Sequence, residues 1–321
     1  MEKSVDHPKN ARINLCVKKG KKVNTIEVTN LAKSFGEVQA VRDVSFTVGK
    51  GEIFGMLGPN GAGKTTTIRI LLDLFKADAG TVAVLGGPMT EEKKGRIGYM
   101  PEERGLYQDV PLMRCLIYLA TLKGLSPAEA RQELEPYLER FDLADHKQKK
   151  VSELSKGMQQ KAQIILTIVH KPDLVIIDEP FAALDPINTR LVKDVIRELR
   201  DEGTTILMST HQMHQVEELC DRIVLIDEGE DVLYGTLTGI RERFSGHALV
   251  VQADAALPEL SGVLQVDRIN HEAKILLEEQ TDPQTILKQL LAHEVVLNKF
   301  EIAVPTLDEI FIKVVQEGVS G

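Results

Sequence analysis

From Thr25 onward, apolar residues recur in two rhythms. Over TIEVTNL (25–31) and VRDVSFTV (41–48) they alternate with polar residues, which predicts two strands of a half-exposed antiparallel sheet. EIFGMLG (52–58) and DLVIIDEP (173–180) are instead continuous apolar runs, as expected of buried strands, and RIGYM (96–100), TTILMSTH (204–211) and DRIVLIDEGE (221–230) read as further strands. Between them the period becomes helical. GKTTTIRILLDLF (63–75) places Ile68, Leu71, Leu72 and Phe75 on one face. Residues 112–146 are mostly helical, with a start signal at Ser126–Pro127. Met158, Ala162, Ile165, Leu166 and Val169 line another helix. Strands alternating with helices predict an α/β fold with a mostly parallel sheet covered on both faces, an antiparallel β edge and a helical subdomain.

Near Thr236 the pattern changes. ALVVQA, VLQVDRIN and AKILLEE are short strands, PQTILKQLLAH an amphipathic helix, VVLNKFEIAV a strand and TLDEIFIKVVQ a last helix. This predicts a small C-terminal α+β domain of ferredoxin-like type. The expected division is a tail at 1–24, a main domain at 25–237 with its helical subdomain at about 102–165, and an accessory domain at 238–321.

Composition narrows the class. The 321 residues are 43% apolar and 27% charged, with a formal net charge of −9, which fits a soluble globular protein and gives no dominant basic field for nucleic acid. No apolar run approaches the roughly 18 residues that span a bilayer. Three scattered cysteines (Cys16, Cys115, Cys220) have no metal-ligand spacing and suit a reducing compartment. Residues 1–24 carry seven Lys/Arg against two Asp/Glu, with little periodicity and no apolar signal-peptide stretch. They read as a disordered basic tail or, alternatively, as a basic arm that touches anionic lipid headgroups.

GPNGAGKTT brings in chemistry. It fits G-x-x-x-x-G-K-[ST] over Gly58–Thr65, after a predicted strand and before a predicted helix. Gly58, Asn60, Gly61, Ala62, Gly63, Lys64, Thr65 and Thr66 then form a loop whose backbone N–H groups and helix dipole cradle phosphates. Lys64 is expected on the β- and γ-phosphates and Thr65 on Mg²⁺. Asp178 ends a buried strand, where a carboxylate needs a cation, with Mg²⁺ the natural partner. Glu179 follows, placed to polarise a water attacking the γ-phosphate. His211 stands after the next strand, either as a structural histidine or as a γ-phosphate sensor. Phe35 is either core or a stacking surface for adenine.

In this order the motifs resemble the nucleotide-binding subunit of ABC transporters, over about Thr25 to Gly235. Gly58–Thr66 resembles the Walker A loop, Asp178 and Glu179 the Walker B aspartate and catalytic glutamate, AALDP with Asp185 the D-loop, His211 the switch histidine, and Phe35 the adenine-stacking aromatic. Ser155 and Gly157 resemble the signature LSGGQ, although this chain reads LSKGM, with Lys156 in place of a glycine. Glu102 stands where the family carries the lid-loop glutamine. Neither departure looks like decay, because the Ser155 hydroxyl and the Gly157 backbone are retained. The resemblance implies a head-to-tail dimer in which each signature helix closes on ATP held by the opposite phosphate loop. It thereby gives Ser155, Lys156, Gly157 and Asp185 roles at nucleotide, and Glu102 a place near the metal or the attacking water.

PEERGLY, LSKGMQQK and the C-terminal PTLDEIF narrow the resemblance to ATPase subunits of ABC-2-type exporters of the sodium- and drug-efflux branch. That implies Mg·ATP hydrolysis powering export through a separate membrane permease, with a second copy or paralogue as dimer partner and a peripheral position at the cytoplasmic face of the membrane. The alternatives are a soluble ABC ATPase of translation or DNA repair, or an importer ATPase. Translation types usually carry two such domains, and repair types insert coiled coils or zinc segments between the motifs.

Overall fold

The computed structural model describes residues 13–15, 24–103, 105–244, 248–253, 257–269, 272–278, 281–303 and 305–317. These fall into two compact units that meet in sequence at Gly235/Thr236. In the first, β1 (Ile13–Leu15), β2 (Asn24–Phe35), β3 (Val38–Gly49) and β4 (Ile53–Leu57) precede α1 (Lys64–Leu71), β5 (Ala79–Val84), α2 (Glu91–Gly95) and β6 (Ile97–Met100). Then come α3 (Leu112–Thr121), α4 (Pro127–Arg140), α5 (Lys156–Ile168), β7 (Leu174–Asp178), α6 (Pro186–Asp201), β8 (Thr205–Thr210), α7 (Met213–Leu219), β9 (Arg222–Asp227) and β10 (Glu230–Thr236). The second unit holds α8 (Leu237–Phe244), β11 (Ala248–Ala253), β12 (Val263–Ile269), β13 (Glu272–Leu277), α9 (Pro283–Ala292), β14 (Leu297–Ile302) and α10 (Leu307–Glu317).

The large sheet runs β5-β2-β3-β10-β9-β4-β8-β7-β6. Every residue of β4, β7 and β8 is buried, because parallel strands in mid-sheet are covered on both faces. β4 pairs in parallel with β8 and β9, and β7 with β6 and β8, while β2 pairs antiparallel with β3 and β5. The register sets Leu57 beside Thr210 and Asp178 beside Ser209. The carboxyl ends of β4, β7 and β8 therefore finish level, where open α/β sheets bind ligands. Below them, Ile26, Val44, Phe46, Phe54, Ile68 and Leu207 belong to one apolar core, in which Phe46 and Phe54 stack at 5.4 Å. Helices α3 to α5 occupy the stretch expected to be a helical subdomain, α5 running on to Ile168.

Three expectations differ from the structure. Helix α1 stops at Leu71 rather than Phe75, since Asp73 takes a left-handed φ of 60° and turns the chain. In the basic segment expected to be unstructured, Ile13–Leu15 forms β1, paired in parallel with Leu233–Gly235. β3 engages β10 at Glu230, and further along β10 takes β1; backbone pairing of this kind does not depend on the charges nearby. Residues 1–12 and 16–23 of the expected tail lie outside the described residues. Finally, the C-terminal unit is α+β but not ferredoxin-like. Its three strands β11, β12 and β13 follow one another with no helix between them among the described residues, and the antiparallel sheet runs β12-β13-β11-β14. Leu249, Val251, Ile275 and Leu277 of that sheet pack with Ile286 and Leu290 of α9.

Candidate functional site

The loop between β4 and α1 is shaped by three glycines with positive φ: 147° at Gly58, 83° at Gly61 and 106° at Gly63. Two of them also have no room for a side chain. A Cβ would lie 2.1 Å from the Ile226 carbonyl at Gly58 and 2.5 Å from the Ala40 carbonyl at Gly63. Gly63 is the N-cap of α1 and supplies no side chain to the first N–H groups of the helix. Those donors remain for an anion. Lys64 is buried and folds back, its Nζ donating to the carbonyls of Gly58 (2.8 Å) and Pro59 (3.0 Å). Burial pushes the Lys64 ammonium below its usual value, against the opposing pull of Glu179, Asp178 and Glu102. A cation held with so few counter-contacts is poised for anionic oxygens.

The carboxylates close the other side. Asp178, 2% exposed, accepts from the Thr65 hydroxyl at 3.0 Å on one oxygen and from the Ser209 hydroxyl on the other. Glu179 lies in the left-handed region at φ 53°, a conformation that costs a non-glycine residue about 1–2 kcal/mol. The β7–β8 ladder and the loop beyond hold it there. Its N–H donates to the Ser209 carbonyl at 2.9 Å. Its carboxylate accepts from the Thr210 hydroxyl and the His211 N–H, both at 3.0 Å, and His211 Nδ1 stands 2.7 Å from Oε1.

A cavity of about 300 Å³ is lined by Asn60, Gly61, Gly63, Lys64, Thr65, Thr66, Glu102, Asp178, Glu179 and Ala40. It collects a buried cation, two buried carboxylates and open helix-start donors, a set suited to a polyphosphate and a nucleophilic water. Among the described residues no three His, Cys, Asp or Glu are grouped to hold a metal. Thr65 and Asp178 nevertheless offer adjacent hard oxygens, and Mg²⁺ takes one or two protein ligands and completes its shell with water and phosphate. The residues present fit that ion.

Gly58 and Ala62 support the loop from behind, Gly58 through its carbonyl to Lys64. Ser155, Lys156, Gly157, Asp185, His211 and Phe35 do not line the cavity. Ser155 caps α5, accepting from the Met158 N–H at 3.2 Å, with Lys156 exposed at the first helical position. A Cβ on Gly157 would come within 3.1 Å of the Ala183 carbonyl. Asp185 caps α6, and the backbone N–H of Asn188, with its side chain, holds the Asp185 carboxyl below the usual carboxylate range. Phe35 is 43% exposed, meets Phe75 edge-on at 5.2 Å and has Lys33 Nζ 5.4 Å from its ring centre.

The sequence reading missed Ala40, Ser209, Thr210 and Gln160. Buried Gln160 donates to the carbonyls of Glu179 (3.3 Å) and Pro180 (3.2 Å). Ser209 and Thr210 end β8 immediately before His211, so their type and place were a usable signal. Ala40 carries none.

Comparison with known proteins agrees with this geometry. The family described as ABC transporter matches residues 41–182, and the family described as ATP-binding protein DrrA1-3-like, C-terminal domain, matches residues 235–315. The uncharacterized ABC transporter ATP-binding protein YhaQ of Bacillus subtilis (strain 168) is 39% identical over 291 residues, covering 90% of this chain and 97% of that one. Nod factor export ATP-binding protein I of Paraburkholderia xenovorans (strain LB400) is 39% identical over 213 residues, covering 65% and 70%. Among solved structures, an ATP-binding subunit of an ABC transporter superposes with a TM-score of 0.64 at 34% identity, covering 68% of this chain and 93% of its own.

Proposed function

The chain belongs to the ABC transporter family of ATP-binding proteins, and from that premise we propose that it hydrolyses Mg·ATP as one half of a head-to-tail dimer that drives export through a separate membrane permease. One observation carries the reading: Lys64, Thr65, Asp178 and Glu179 converge on a single cavity at the ends of β4, β7 and β8.

In this reading the N–H groups of Gly61 to Thr66 and the Lys64 ammonium hold the β- and γ-phosphates. Thr65 and, through water, Asp178 would hold Mg²⁺, which would supply charge neutralisation at the phosphate oxygens. Glu179 orients a water on the γ-phosphorus and takes its proton as the P–O bond to ADP breaks. Its carboxylate is kept in place by Thr210 and the His211 backbone, so that little reorganisation is needed. An ionised carboxylate only accepts, so His211 Nδ1 carries the proton toward it. To donate to a γ-phosphate as well, His211 must become imidazolium or swing away from Glu179. Glu102 lines the same cavity, and in this reading it would touch the metal's water shell or the attacking water.

Ser155, Lys156 and Gly157 lie at the exposed start of α5, outside the cavity of their own chain, which favours their use on ATP held by a partner. The D-loop residue Asp185 belongs to the same interface. Export, rather than import or a soluble role, is supported by the DrrA1-3-like C-terminal match and by the export-named relative. A permease from another chain would hold this one peripherally at the cytoplasmic face; among the described residues no helix is long and apolar enough to cross a membrane.

The test is Glu179→Gln in the purified full chain. Turnover is expected to fall by about 10²–10⁴-fold, with ATP binding retained and an ATP-bound dimer accumulating. Turnover at the parental rate would remove Glu179 from its role.

A further inference from the structure

Glu179 is held from two directions, and only one belongs to its own neighbourhood. Its carboxylate is fixed by Thr210 and His211 at the end of β8. Its backbone N–H donates to the Ser209 carbonyl and its carbonyl accepts from the Ala182 N–H, and α5 adds a further hold from outside. The Gln160 amide nitrogen donates to the carbonyls of both Glu179 and Pro180, at 3.3 and 3.2 Å. Two acceptors at that distance leave no doubt which end of the amide faces them, since an oxygen there would be repelled. The held corner is one that needs holding. Glu179 has a left-handed φ, and Pro180 after it has no N–H to contribute.

Gln160 sits little more than one helical turn from Ser155, on the same rigid helix, about 7.5 Å along its axis at 1.5 Å per residue. The start of that helix rests on the segment just beyond the corner, with Gly157 against the Ala183 carbonyl. One turn after Gln160, Gln163 donates to the Glu103 carbonyl at 3.3 Å, next to the cavity residue Glu102. A shift of α5 therefore moves one anchor of the Glu179–Pro180 corner directly.

We propose that Gln160 is a positioning residue for hydrolysis: from α5 it fixes the Glu179–Pro180 backbone, so that the aim of the Glu179 carboxylate depends on how the N-terminus of α5 is seated. This rests on the reading of Glu179 as the base and of Ser155–Gly157 as the surface that meets the partner's ATP. With both in place, docking of one subunit's nucleotide on α5 sets the base of the other site.

The experiment compares Gln160→Met with Gln159→Met in the purified full chain, with Glu179→Gln alongside. Gln159 is the neighbouring control. It is equally buried at 6% exposure, but its amide donates to the carbonyls of Val151 and Leu154, away from the corner. Thermal melting, binding of a fluorescent ATP analogue, and kcat and KM per nucleotide-binding site are measured for all of them, so that misfolded molecules do not count. Gln160→Met is expected to lose roughly 10–100-fold in kcat, the scale of a misplaced catalytic group, with KM and analogue binding nearly unchanged. Gln159→Met is expected to lower the melting temperature comparably and to keep its kcat. Equal kcat for the two methionine variants, with Glu179→Gln inactive, would overturn this inference alone. Parental turnover in Glu179→Gln would overturn the functional reading beneath it.

Discussion

Helices α1 and α5 start with much the same chemistry and use it in opposite ways. Each opens on a lysine close to a glycine and a hydroxyl residue: Gly63, Lys64 and Thr65 at α1, Ser155, Lys156 and Gly157 at α5. At α1 the cap is a left-handed glycine with nothing to offer the first N–H groups, and the lysine is buried and turned back on the loop. At α5 the cap is a serine whose hydroxyl already accepts from Met158, and the lysine is exposed. The first start is unsatisfied without a ligand. The second already has its Met158 N–H capped, and in the proposed dimer it would meet an anion only when a partner brings one. A nucleotide site divided between two chains needs this asymmetry: one half that captures ATP alone, and one that engages only on closure.

The largest effect should come from the half built to capture. Lys64→Ala removes a buried cation whose charge-assisted hydrogen bonds to phosphate are worth about 1.5–3 kcal/mol, so ATP binding should weaken by roughly 10–150-fold. Thermal stability should not fall in step, because burial already disfavours the ammonium. Titration with a fluorescent ATP analogue, beside a melt, measures both. An unchanged Kd would mean that the loop binds without its lysine.

Much of this contrast is legible in the sequence, for a physical reason. Continuous apolar runs with glycine or carboxylate at their ends mark β4 and β7, because a strand buried on both faces admits no polar residue until it reaches the site. The phosphate loop is legible because only glycine tolerates the backbone at Gly58 and Gly63. What fails to show is held by contacts between distant segments. β5 starts as exposed Ala79–Gly80–Thr81, with no apolar alternation, and exists because it pairs with β2. β1 exists only against β10. The strand order of the C-terminal unit is a choice among pairings that one-dimensional alternation does not rank. At the site, Gln160 reads as one polar residue on an amphipathic helix, and its two carbonyl partners are some twenty residues away.

A second pair of variants separates capping from ligand binding at α5. Ser155→Ala removes the bond to Met158, costs about 0.5–2 kcal/mol and should lower the melting temperature by several degrees. Ser155→Asp keeps a good cap, so it should melt near the parent. Its carboxylate would nevertheless face the triphosphate of the partner, so ATP-driven dimerisation in a Glu179→Gln background should be lost. If Ser155→Asp dimerised as well as the parent, α5 would not be the half that closes on ATP.

The smallest expected effect is at Lys156, and it is informative through its sign. In the separate chain this ammonium lies at the positive end of α5, an arrangement that costs roughly 0.3–1 kcal/mol for an exposed charge at low ionic strength. Lys156→Ala should therefore leave the melting temperature unchanged or slightly raised. In the closed dimer the same helix end would face a triphosphate, and the charge would change from a burden to an attraction that added salt weakens. Dimer fraction against ATP concentration, followed by light scattering in the Glu179→Gln background, should shift to higher ATP for Lys156→Ala. The shift should shrink as salt is added. Lys156→Gly restores the residue more usual in the family and tests whether backbone approach alone suffices; it should fall between the other two. Overlapping curves for all three proteins would make Lys156 a solvated bystander and leave Ser155 and Gly157 as the only parts of this helix start that meet ATP.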